Sequence, residues 1–525
     1  MRRILIAVFL ALGLVSAAVP AARALDPDAL RQDLIAALDR GLSTYATGPF
    51  LFTGVETVAQ GAAVRVKITD LTLPLPDHGG RIEFGDLAFT LADAPPGSLE
   101  DDRRYRVSEV TTASQAAVID DTGEKIALIN YSLEHLSGVW STALRNFLDY
   151  DMAMDRFEVV VPKENLGFAI DRFTAVNQVV TRGDGLTDWE GEGRIAGLRV
   201  IKPAFGTLRI GEVLVDYRIH GYDLAGMQAM NQAMNQAMNQ AMNQAMNQAV
   251  DEASNREAPP DRDRIAALQE RLKSFSMVGQ GFVERFKVTD LSYLDAAEQP
   301  RFHLDEMEFD IAGGDQHVAL GYGSLGLRMA GASTVLPGSE GNGAGTPLDA
   351  LMPENLGLIV SGERLPARAM WRGMLNVMLL GTAAGTQGPD PDAIGEAMGR
   401  EILAAINQAG TVLRLDRFDV EAPSGRVVAE GEFQVDPATA VGVRGRADIT
   451  ITGLDEMIAA ANGAALSGQV APGVQGNMMF LMLLKGMVKR ETGPDGGTVD
   501  RLEIVVTPAG DVLLNGLPFS MAPQQ

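Results

Sequence analysis

The chain contains no cysteine. That excludes disulfides, thiol nucleophiles, thiolate metal sites and lipoprotein acylation together. Histidine is scarce, at five of 525 residues, and aromatics make up 6%. Leu, Val, Ile and Met therefore supply most of the apolar surface, which suits flexible chains better than flat rings or sugars. Beyond residue 24 no apolar run approaches the ~20 residues of a membrane-spanning helix. The best, Met478–Leu484, falls far short. Basic residues are in deficit. Setting aside Arg2, Arg3 and Arg23 leaves 41 (44 − 3) basic against 68 acidic side chains, a net charge of −27. Such a surface repels phosphate backbones and anionic lipid headgroups, so no nucleic-acid partner is expected. There is no G-x-S-x-G elbow, P-loop or zinc-protease helix, and an enzyme is not expected.

The first 24 residues read as a secretory signal peptide. Arg2 and Arg3 precede an apolar run from Ile4 to Val19, and Ala22-Arg23-Ala24 is a small-x-small cleavage site. The mature chain is expected to begin at Leu25, in the periplasm, with no transmembrane span.

One eight-residue pattern recurs beyond it: apolar-x-apolar, a polar or small pair, apolar-x-apolar. It occurs at Ile82–Phe89, Met152–Val159, Leu208–Val215, Phe302–Phe309 and Leu413–Val420, and more loosely at Phe168–Ala175. Each half alternates as a half-buried strand does. The central pair shifts the alternation by one residue, and a β-bulge there returns all four apolar side chains to one face. Ile82, Phe84, Leu87 and Phe89 are expected to be buried, as are Phe302, Leu304, Met307 and Phe309. The irregularities are expected at Gly85-Asp86 and Asp305-Glu306.

The chain also repeats itself. Lys67–Thr72 returns as Lys287–Ser292, and Arg81–Leu91 returns as Arg301–Ile311, both shifted by 220 without a gap. Asp155–Val159 returns as Asp416–Val420, shifted by 261, and Glu164-Asn165-Leu166-Gly167 returns as Glu354-Asn355-Leu356-Gly357, shifted by 190. The last fits neither register and reads as a reused turn. Two duplicated halves follow, 51–221 and 277–525. A helix at 25–50 precedes them, with Leu30, Leu34, Leu38 and Leu42 on one face.

Further helices are expected at Leu133–Leu148, Pro366–Leu380, Pro391–Ala409 and Leu454–Leu466. Between the halves, 222–276 reads as a helical hairpin. Its first arm carries an Ala-Met-Asn-Gln repeat over Ala229–Ala249. Four residues per repeat against 3.6 per turn winds the methionines around the helix rather than along one side, which disfavours a thioether site for Cu(I). The loop Gly338–Gly345 carries no periodicity.

Other candidate sites are weaker still. Gly321–Gly326 matches G-x-G-x-x-G but lacks a following helix, so it reads as a glycine-rich strand or bend. His303-x-Asp305 could contribute to a metal site but has no evident third ligand, and a solvated polar face is expected instead. No cofactor or metal is expected.

The bulged strands, above all Leu413–Val420, resemble the repeated strand of AsmA-like envelope proteins of Gram-negative bacteria. The order of signal segment, strand-rich body and closing hairpin (Leu502–Val506 with Val512–Gly516) is similar to the YdgA-like exported proteins. The resemblance implies a periplasmic, β-rich protein with an apolar trough and no catalytic residues. The expected fold is β-rich α+β: two halves of long antiparallel bulged strands forming curved sheets, packed by helices. The expected function is non-enzymatic sheltering of a lipid or fatty-acyl ligand in an apolar sheet groove that includes Ile210, Val213, Leu415 and Phe418. The alternative is a structural or interaction module that contacts other envelope proteins.

Overall fold

Every copy of the eight-residue pattern is strand in a computed structural model of the chain. The structure describes residues 26–40, 50–75, 80–95, 103–141, 146–202, 204–223, 280–317, 320–334, 349–366, 369, 391–439, 441–466, 481–493 and 496–519. The expected signal peptide, the tetrapeptide repeat, the loop at 338–345 and most of the helix expected at 366–380 lie outside these residues. The protein is β-rich α+β, and its described strands pair antiparallel.

Two compact units divide the chain: Met1–Arg218 with Phe286–Arg301, and Ile219–Arg285 with Phe302–Gln525. The first unit opens with helix α1 (Pro27–Arg40). Asp26 caps it, its side chain accepting from the Asp28 backbone N–H at 3.0 Å. Strands β1 (Gly54–Gln60), β2 (Ala63–Leu75) and β3 (Gly80–Asp93) form a meander. β4 (Arg104–Thr112) and β5 (Gln115–Ile119) share the next place, both lying between β3 and β6 (Lys125–Ser141). β7 (Asn146–Val161), β8 (Leu166–Thr181), β9 (Thr187–Lys202) and β10 (Gly206–Tyr222) extend the ladder in order. From Phe286 onward, β11 (Gly281–Leu294) groups with this unit.

The polar pairs act as the alternation requires. In β3, Gly85 takes a φ of +76° and the pairing with β2 slips there. Ile82, Phe84, Leu87 and Phe89 consequently all point inward and are buried. β7 does the same at Asp155-Arg156, burying Met152, Met154, Phe157 and Val159. These residues join Leu30 and Leu34 of α1, Val64, Val66 and Ile68 of β2, and Ile129 of β6 in one closed core.

The helix expected at Leu133–Leu148 is not formed. Residues 125–141 are β6, and β7 begins at Asn146. Leu133, Leu136 and Trp140 imitate helical spacing because β6 carries one extra residue between Leu133 and His135 opposite β7, which stretches the interval from Leu133 to Leu136 to three residues, while Leu136 and Trp140 stand two strand periods apart. Leu136 and Trp140 are buried as strand residues.

The second unit runs β12 (Pro300–His317), β13 (Leu320–Ala330), β14 (Ser333–Thr334), β15 (Asn355–Leu365), helix α2 (Pro391–Ala409), β16 (Val412–Ala422), β17 (Gly425–Val435) and β18 (Val443–Thr452). Helix α3 (Leu454–Leu466), β19 (Lys489–Thr492), β20 (Thr498–Val506), β21 (Val512–Leu514) and β22 (Leu517–Pro518) complete it. The ladder order is β12-β13-β15-β16-β17-β18-β20. α2 and α3 match their expected bounds. Gly410 ends α2 at a φ of +58°, and Gly453 leads into α3 at +80°. Gly321–Gly326 is the interior of β13. The closing hairpin forms as expected, with Val506 opposite Val512.

One expectation is corrected here. In β12 only Leu304 is buried, while Phe302, Met307 and Phe309 are half-buried. On the side of β13 and β14 the ladder keeps its register past Asp305-Glu306. On β11, Asp290 takes a φ of +53°, matching its echo Asp70 of β2 at +54°.

The echo with the odd shift has a structural account. Asp155–Val159 and Glu164–Gly167 lie on neighbouring antiparallel strands, β7 and β8. Their second copies lie on β16 and β15, again neighbours, but connected in the opposite chain order.

Candidate binding face

Cross-strand registry in the second unit lines its apolar residues into rows that run perpendicular to the strands. One row reads Phe309, Leu327, Leu358, Phe418, Ala429, Ile449, Leu502 from β12 to β20. The next reads Ile311, Leu325, Val360, Leu415, Gly431, Ala447, Ile504. A third holds Met307, Met329, Leu356, Val420, Val427 and Ile451. Directly opposed residues share a face, so the three rows form one apolar surface. The bulge at Asp416-Arg417 is what keeps them aligned. β16 slips between Leu415 and Phe418 against β17, and without the slip those two side chains would point to opposite faces.

Coverage of this surface changes along the rows. At the β18–β20 end, Leu454 of α3 and Leu484 of helical residues 481–487 pack with Ile451 and Leu502 in a small buried core. Toward β12 the side chains are half-buried, and Leu325 is 38% exposed. No row residue on β12, β13, β15 or β16 is fully buried. The contrast is with β3, β7 and β8 of the first unit, where the same pattern buries four of four apolar side chains, whereas on β10 of that unit it buries only Val213.

The expected groove residues fall in two places. Leu415 and Phe418 stand on this face, half-buried, in adjacent rows. Ile210 and Val213 stand on β10 of the first unit. Val213 is 8% exposed and shares its face, by alternation, with Tyr217. The Tyr217 hydroxyl donates to Asn177 Oδ1 at 2.7 Å, and burial pushes its pKa up to about 12. Asn177 in turn donates from Nδ2 to the Leu148 carbonyl. Ile210 and Val213 thus belong to the first unit, and Leu415 and Phe418 to the second.

Sequence reading missed Leu325, Leu327 and Met329, in or just after a glycine-rich run, and Leu356, set aside in a reused turn, with Leu358 and Val360 just beyond it. Strict alternation was the available signal in both. His303 and Asp305 do meet, Nε2 to Oδ1 at 2.8 Å, on an exposed stretch of β12. Among the described residues no three acidic or histidine side chains gather as metal ligands would, and no helix is long and apolar enough to cross a membrane.

No protein-family model matches the chain, and neither a curated protein nor a solved structure matches it significantly. What stands is the class the geometry defines: a β-rich α+β protein with one closed apolar core and one half-covered apolar sheet.

Proposed function

We propose that the chain is an exported, periplasmic envelope protein that performs no catalysis and shelters lipid acyl chains on the second unit's apolar rows. The observation that carries this reading is the incomplete burial of those rows from β12 to β16. An antiparallel sheet with one apolar face needs that face covered, and half-covered aliphatic rows are a surface for an apolar ligand. The lining is Leu, Ile, Val and Met with two phenylalanines, adaptable to a flexible chain. The net charge of −27 for the mature chain keeps an anionic headgroup at the margin of the surface. The resemblance of Leu413–Val420 to the strands of AsmA-like and YdgA-like envelope proteins agrees with this reading.

Native mass spectrometry and organic extraction of protein purified from the envelope fraction test it. Acyl-bearing molecules are expected on the wild-type chain and depleted on a folded Leu415→Asp variant. Clean apo protein that takes up no fluorescent fatty acid would favour the interaction module.

A further inference from the structure

The opposite, polar face of the second unit carries a cleft of about 280 Å³. Arg328 of β13, Arg417 of β16 and Arg426 of β17 line it with Glu306, Asn355 and Glu421, and Met329, Leu356 and Ile359 add an apolar margin. Its floor is Gly357, the cross-strand partner of Arg328 on one side and of Asp419 on the other. A Cβ at 357 would lie 3.5 Å from Arg417 Nε and 3.8 Å from Asp419 Cβ, so a branched residue there would occupy the cleft.

Compensation of the three guanidiniums is uneven. Asp419 is buried and accepts a two-pronged grip from Arg426, Nε to Oδ1 at 2.8 Å and Nη2 to Oδ2 at 2.7 Å. Arg417 Nη2 donates to the same Oδ2 at 2.7 Å. One carboxylate thus serves two guanidiniums and fixes both in place. Arg328 approaches Glu308 at 3.6 Å, beyond hydrogen-bond reach, while Arg285 holds Glu308 more closely at 2.9 Å. Glu421 accepts from Asn355 Nδ2 at 3.2 Å. Arginine's planar fork matches carboxylate and phosphate oxygens in pairs.

We propose that this cleft binds a small oxyanion, a carboxylate or phosphate group, over Gly357 between Arg328 and the Arg417–Asp419–Arg426 cluster. Asp419 is a positioning residue that holds two of the donors. Glu306 and Glu421 bring the formal charge of the lining to zero, so the site admits a group small enough to reach the guanidiniums past them, and binding weakens as salt screens the attraction. Asp419 and Gly357 alternate with Phe418 and Leu358, which face the other way. The oxyanion is therefore not the headgroup of a lipid lying on the apolar rows.

Isothermal titration calorimetry of the full chain, in oxyanion-free buffer at low salt, tests the site with inorganic phosphate and separately with succinate. Saturable one-site binding is expected with at least one of them. Binding of phosphate alone would assign a phosphoryl ligand, and binding of succinate alone a carboxylate. Arg328→Gln should weaken binding roughly tenfold, the weight of one charge-assisted contact. Gly357→Val should abolish it while thermal melting shows the fold intact. If the valine variant does not fold, Arg328→Gln decides. Arg444→Gln serves as a control, since Arg444 bonds Gln434 away from the cleft lining. No saturable heat with either anion, or an equal loss in Arg444→Gln and Arg328→Gln, would overturn the proposal.

Discussion

Asp419 carries a specific pH signature. Arg426, then Arg417, hold its carboxyl down to about 2. Its unfolded pKa is about 3.9, so between those values the unfolded chain binds the extra proton and stability rises with pH. The contribution is complete above pH ~4 and lost as pH falls through about 2. Both arginines are half-exposed, so solvent screening reduces it to the order of 1–2 kcal/mol. Asp419→Asn should remove that part of the acid limb. Urea unfolding of both proteins from pH 5 to pH 2 checks it, the curves converging toward the acid end. Apolar residues separate by their surroundings in the same way. Phe89 is fully buried, and Phe89→Ala should cost roughly 3–5 kcal/mol. Phe309 occupies the echoed place in β12 but is half-buried, and Phe309→Ala should cost only about 1 kcal/mol. Denaturant midpoints of the two variants report the difference. At this scale the sequence revealed which side chains turn inward but not how deeply, since depth depends on what lies over the sheet.

Among the elements, the bulge is the device that repeats. Its polar pair was legible because it interrupts a strict alternation, and β3, β7 and β16 place their slips at Gly85-Asp86, Asp155-Arg156 and Asp416-Arg417. β6 was misread because one extra residue between Leu133 and His135 turns an interval of two into three, just before a regular interval of four from Leu136 to Trp140. A bulged strand and a helix then present the same apolar spacing, and only the valine and tryptophan at 139–140 argue for strand. α2 and α3 were legible because proline and glycine punctuate them where propensity already agrees. The bulge also predicts an asymmetry of tolerance. Deleting Arg417 removes the slip but leaves Leu415 and Phe418 two residues apart and on one face, so the rows stay aligned. Deleting Asp419 instead sets Phe418 directly beside Val420 and turns one of them to the opposite face, and that deletion should destabilise the second unit far more than deleting Arg417, as thermal melts would show. Gly85→Val should cost roughly 1–2 kcal/mol, because the left-handed φ excludes a branched side chain.

At the scale of the whole molecule, one strand pattern serves two ends. In the first unit, α1 and the inward side chains of the strands form a core that includes Phe89, Ile129 and Phe157. The second unit repeats the strands but buries its rows fully only where α3 and residues 481–487 lie over them. The rows were not legible as a site, because registry across seven strands is a property of pairing and not of any one segment. Export belongs to this scale too. N-terminal sequencing of the envelope form should begin at Leu25. The central claim, that the uncovered rows hold acyl chains, is tested most directly by photo-crosslinking the full chain with a diazirine-bearing fatty acid and mapping the labelled peptides by mass spectrometry. Labels concentrated on β12, β13, β15 and β16, competed away by unlabelled fatty acid, are the predicted result. Labels that are absent, or that fall as often on the first unit as on these four strands, would contradict it.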